Sequence, residues 1–125
     1  MTATKTAVTR HPDGWNYAAA TAGILNTTAA VTIKTAPPVA FRNYVTDIQV
    51  MAEAVTNATE LAIRDGAGGT VLWRTKIPTT GLLQGIAVNF QSPLQGTAGN
   101  LLEVLTLTAS GAGAVYFNAQ GFVDP

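Results

Sequence analysis

Arg42-Asn43-Tyr44-Val45-Thr46-Asp47-Ile48-Gln49-Val50-Met51-Ala52-Glu53-Ala54-Val55 is the stretch whose reading decides the fold. Tyr44, Thr46, Ile48, Val50, Ala52 and Ala54 recur at every second position, and Asp47, Gln49 and Glu53 fall between them. Period two places the first set on one side of an extended chain and the second on the other, so the stretch reads as a strand with one face in a core and one wet. A helix needs an i, i+3, i+4 stripe, which neither this stretch nor any other sustains.

The same signal repeats on both sides of it. Val31-Thr32-Ile33-Lys34-Thr35 alternates and stops at Pro37-Pro38, which cannot continue a ladder. Residues 59–64 and 70–75 flank Asp65-Gly66-Ala67-Gly68-Gly69, a loop suited to a hairpin, which would bring Leu61 and Ile63 to Val71 and Trp73. Ile86-Ala87-Val88-Asn89-Phe90 puts three large apolar groups on one face, and Ser92-Pro93 reads as its end. Residues 101–109 are apolar on both faces, as in a central strand or one covered by a neighbouring subunit. Residues 114–123 alternate again, with Gly121 a candidate bulge. Seven or so strands at this spacing make an all-β chain, an antiparallel β-sandwich over residues 29–125.

Residues 1–28 have a different texture. Thr and Ala alternate loosely up to a His11-Pro12-Asp13-Gly14 turn, followed by Trp15-Asn16-Tyr17. The alanine-rich run after Tyr17 is interrupted too soon by Thr21 and Gly23 for a helix, so the segment reads as an extended N-terminal arm. Trp15 and Tyr17 then either anchor the arm to a partner or cover the edge of their own domain.

Composition narrows the classes of function. At 125 residues the chain fits one domain, and charged residues are only 11% of it, seven basic against seven acidic. Zero net charge gives no steering toward nucleic acid or an anionic membrane, and it leaves little repulsion between copies. There is no cysteine and hence no disulfide, which suits assembly in a reducing cytoplasm. The start lacks the apolar segment of a secretory signal, and no run of about 18 apolar residues is present to span a bilayer as a helix.

Few residues offer chemistry. His11 is the only histidine and shares its turn with Asp13, short of the three or four ligands zinc needs and without rigid support for catalysis. Ser92 and Ser110, the only serines, sit in no nucleophile elbow. The Asp65–Gly69 loop lacks the Lys-Ser/Thr ending of a phosphate cradle and joins two strands. The acidic residues are spread along the chain, most of them on solvated strand faces. Trp73 shares a face with Val71, which makes it a core residue before a sugar-stacking one. The expectation is a non-enzyme with no catalytic residues, cofactor or metal.

Three segments carry a resemblance: Arg42-Asn43-Tyr44-Val45-Thr46-Asp47-Ile48-Gln49-Val50; Ile63-Arg64-Asp65-Gly66 leading to Thr70-Val71-Leu72-Trp73-Arg74; and Gly113-Ala114-Val115-Tyr116-Phe117-Asn118-Ala119-Gln120-Gly121-Phe122. From Trp15 to the carboxyl terminus the chain resembles small virion proteins of tailed bacteriophages, the capsid decoration or cement proteins in particular. That resemblance implies a jelly-roll-like sandwich assembled as a homotrimer. It would sit on the outer surface of the expanded head, bind the major capsid protein, and be assembled in the host cytoplasm. Low charge and the two-faced strand at 101–109 independently point to self-association. Trp15, Tyr17, Leu101, Leu105 and Leu107 are the candidate capsid or intersubunit contacts. The alternatives are a tail-fibre or receptor-binding tip and a small carbohydrate-binding module, the two readings in which the partner is a glycan.

Overall fold

A computed structural model describes residues 13–125. Nine strands follow in order: β1 Gly14–Tyr17, β2 Ile24–Leu25, β3 Val31–Lys34, β4 Arg42–Ala52, β5 Thr59–Asp65, β6 Thr70–Ile77, β7 Leu82–Gln95, β8 Leu102–Thr106 and β9 Ala114–Asp124. They form two antiparallel sheets. The first runs β1-β9-β4-β7 with β2 also on β9, and the second runs β3-β8-β5-β6.

The pairing is nested. β5 pairs β6, β4 pairs β7, β3 pairs β8, and β1 and β2 pair β9, as in one long hairpin. Rolling that hairpin adds the contacts β4·β9 and β5·β8 and sends successive nested pairs to alternate sheets. This is the strand order of a jelly roll. Between the sheets lie Ile33, Val45, Ile48, Val50, Leu61, Ile63, Ile77, Leu102, Val104, Val115 and Phe117.

Several elements differ from the sequence reading. In β4 the inward residues are Asn43 and Val45, then Ile48, Val50 and Ala52. Tyr44 therefore faces out, because the register slips between Val45 and Asp47 and Thr46 is the extra residue of a bulge that shifts the alternation by one. Gly121, expected to form a bulge itself, sits opposite this one, paired with Val45. A Cβ there would lie 1.8 Å from the Tyr44 carbonyl oxygen and 2.5 Å from the Trp15 ring, so only glycine lets the three strands close up. β7 runs through Ser92-Pro93 instead of ending there. Being an edge strand, with its register to β4 broken between Asn89 and Leu94, it tolerates a residue with no N–H.

The arm expected over residues 1–28 is, in its described part, joined to the sandwich. Residues 14–17 and 24–25 are strands of the first sheet, and Ile24 belongs to the core. Trp73 pairs with Ile63 and packs against the core, half-buried, as expected, but Val71 does not share its face: a register slip sets Val71 opposite Arg64, and Leu72 packs on the core instead.

Candidate functional site

β8 is central, between β3 and β5, and every residue of it is buried. Leu102 and Val104 point into the core; Glu103 and Leu105 point to the outer face of the second sheet. There Arg64 Nε donates to Glu103 Oε2 at 2.7 Å, and the Gly68 N–H donates to the same oxygen at 3.0 Å. Arg74 Nη1 donates to Glu60 Oε1 at 3.2 Å nearby. The register sets Arg74 opposite Ala62 and Ala62 opposite Leu105, so the apolar pair is bracketed by the two ion pairs. Ala62 is fully buried and Leu105 only 5% exposed. This face is thus closed within the chain, Ala62 and Leu105 being buried and the charges on either side of them paired with each other.

The other sequence candidates fall elsewhere. Trp15 and Tyr17 both pack against the core. The Trp15 indole donates to the Phe122 carbonyl at 3.3 Å, and the Tyr17 ring is tilted against Phe117 with centroids 6.4 Å apart. Both therefore lie, half-buried, over the edge of their own sandwich. Leu101 is half-buried in the loop before β8, where its carbonyl accepts the Gly66 N–H. Leu107, 40% exposed, borders a shallow groove with Ala58, Lys76 and Pro78 and is the most open of the three leucines. His11 lies outside the described residues.

Asp65, at the hairpin loop, accepts from the Thr97 N–H at 2.9 Å, the Thr97 hydroxyl at 2.6 Å and the Asn100 amide at 3.4 Å. These donors make it a staple between two loops. Among the described residues no group of three or more His, Cys, Asp or Glu side chains gathers to hold a metal.

The first sheet presents the surface that sequence reasoning missed. Residues 77–102, which include all of β7, contain no charged side chain. Met51, on the outward side of β4, pairs across with Tyr116 of β9, whose ring lies over Gly23 beside β2. Leu25 on β2 is 50% exposed, Met51 41% and Leu83 on β7 66%. Exposed apolar groups are therefore distributed across the sheet from β2 to β7, Leu25 lying one outward position from the Tyr116–Met51 pair. Next to them the face is amide-rich: the Gln49 and Gln120 side chains bond each other at 3.0 and 3.2 Å, and Gln120 also donates to Asn16. Farther along, Tyr44 and Phe122 stack with centroids 4.7 Å apart. Charges border these apolar groups, Asp47 accepting from the Asn89 amide at 2.7 Å and Glu53 from the Ala114 N–H beside Leu25, but no element of the described chain lies over them, which is the mark of an interaction surface.

No protein-family model and no curated protein sequence matches the chain. Among solved structures, two of the coat protein of Tobacco streak virus are similar to it. One, a C2 crystal form, has 12% identity and a TM-score of 0.44 over 95% of this chain and 92% of that one. The other, a dimer, has 14% identity and the same TM-score over 95% and 91%.

Proposed function

We propose that this chain is a virion structural protein of the capsid decoration type. It binds the outer surface of an expanded bacteriophage head as a homotrimer, contacts the major capsid protein, and works as a binder with no enzymatic step. The observation that carries the reading is the uncovered outer face of the first sheet, where Leu25, Met51 and Leu83 stand exposed on a jelly roll. The resemblance over residues 42–50, 63–74 and 113–122 supports it, since these segments contribute to β4 and β9, the middle of the first sheet, and to the β5–β6 hairpin of the second.

The mechanism is mechanical. A ligand that binds only the expanded lattice stabilises that state by its binding free energy, and three linked copies turn modest contacts into durable attachment. Purified protein is expected to bind expanded heads in preference to precursor shells and to raise the temperature at which heads release DNA. Equal affinity for both shells, or an unchanged release temperature at saturation, overturns the reading.

A glycan-binding tip or module is the second reading. The stacked Tyr44 and Phe122 rings and the Asn16, Gln120 and Gln49 amides on one flat face favour it, since aromatic faces and planar amides suit sugar rings and hydroxyls. A glycan array with no hits removes it.

A further inference from the structure

At one end of the sandwich, the connection from β3 to β4 contains a run with no polar side chain, Ala36-Pro37-Pro38-Val39-Ala40-Phe41. Turns between strands are ordinarily made of Gly, Asn, Asp and Ser along with proline. Here the tip is a valine. Val39 is 88% exposed, and Pro38 and Ala40 on either side of it are exposed as well.

The tip is held in one shape. Pro37 and Pro38 fix their own φ angles, and the Phe41 N–H donates to the Pro38 carbonyl at 2.8 Å. The Gly99 N–H donates to the Phe41 carbonyl at 2.8 Å, and the buried Asn43 amide donates to the Thr35 and Asn100 carbonyls at 3.1 and 3.3 Å. The run is thereby tied to residues 97–100, which Asp65 staples from the other side. An apolar projection fixed in this way loses little freedom when a partner closes over it.

Its surroundings narrow the kind of partner. Beside the tip, Pro37, Pro38, Phe41 and Val123 border an open recess whose polar margin is Asp13 and Lys34. An apolar centre with a charged margin is the anatomy of a protein–protein contact. A lipid surface fits less well. Asp13 offsets Lys34, and Arg42 donates to the Gly96 carbonyl at 3.1 Å, so no basic cluster faces a headgroup. The run leads directly into β4, whose Tyr44 stacks on Phe122 on the outer side of the first sheet, so the tip and the uncovered face adjoin at this end.

We propose that residues 36–41 are a preformed plug for a partner protein, with Val39 seated in an apolar pocket of the head surface. The proposal rests on the decoration reading above and adds an end-on contact to it.

Cosedimentation of the purified full chain with expanded heads tests it. Val39→Asp lowers the affinity by about tenfold or more, the loss expected when an apolar group of this size is no longer buried. Val39→Thr, which keeps the shape and adds a hydroxyl, lowers it several-fold. Because the side chain is exposed in the free chain, both variants keep the parent's denaturant midpoint. Pro38→Gly weakens binding too, by loosening the turn without removing a contact of Val39. A Val39→Asp chain that binds heads as tightly as the parent overturns the plug and leaves decoration standing. A parent chain that ignores expanded heads overturns decoration and the plug together. Binding of the parent to phosphatidylcholine vesicles that Val39→Asp abolishes overturns the proposal in favour of lipid, and a fall in the sedimentation mass of the head-free chain on the same substitution overturns it in favour of a contact between copies.

Discussion

The two outer faces of the sandwich solve the same problem differently. Each sheet has apolar side chains on its outward side. On the second sheet these are Ala62 and Leu105, sealed between the Arg64–Glu103 and Arg74–Glu60 pairs. On the first sheet they are Leu25, Met51 and Leu83, with no ion pair near them and water over them. The closed face thus holds its charges as mutual pairs, whereas Asp47 and Glu53 on the open face are partnered by an amide and a backbone N–H. The contrast separates a surface finished by folding from one finished by association.

The same substitution on the two faces tests this contrast most severely. Leu105→Asp buries a carboxylate among apolar neighbours, and we expect a loss of about 4 kcal/mol, a large part of a small domain's stability. Leu83→Asp is expected to leave the denaturant midpoint of the monomeric chain within error of the parent. Equal midpoints for the two variants break the comparison.

Next in size, Trp15→Ala removes a ring that packs on Gly121 and the core, at a cost of about 3 kcal/mol measured by chemical unfolding. This substitution shows where the first sheet ends. A Trp15→Ala chain as stable as the parent, yet weaker in partner binding, returns the residue to an anchoring role.

The smallest effects rank the ion pairs. Glu103→Gln weakens the bonds from Arg64 and the Gly68 N–H at a site only 7% exposed, for about 2 kcal/mol. Glu60→Gln, in a pair exposed at 54% and 33%, costs no more than about 0.5 kcal/mol and less still in high salt. If the two costs are equal, burial does not distinguish the pairs and the sealed face needs another explanation.

How far the sequence discloses this depends on the length of each periodic run. The β5–β6 hairpin, β9 and the core half of β4 are legible because they alternate over many residues and end at turn chemistry. β1 and β2, four and two residues long, are too short to show a period, so they merge into what reads as an arm. The facing of Tyr44 is hidden for a different reason. One inserted residue, Thr46, reverses the alternation, and nothing in the residue types marks where it is inserted. The open surface was hidden by the same effect, since Leu83 owes its exposure to the irregular register between Leu82 and Ile86. The lack of charge over residues 77–102 was the available signal. The two-faced apolar character of residues 101–109, in contrast, correctly marks a central strand.

Nested pairing also makes folding order a matter of loop closure. The innermost hairpin joins residues 14 apart, as in Arg74 and Glu60, while the outermost contact joins Trp15 to Phe122, 107 apart. Bringing together the distant pair costs about 2 kcal/mol more in chain entropy if nothing between has formed, so the roll is expected to close from β5–β6 outward. The chain carries its own reporters for this sequence of events. Trp73 lies in the innermost hairpin and Trp15 in the outermost pair, and they are its only tryptophans. In stopped-flow refolding of Trp15→Phe and Trp73→Phe chains, the Trp73 signal is expected to settle before the Trp15 signal, the edge of the first sheet being the last part of the molecule to take its place.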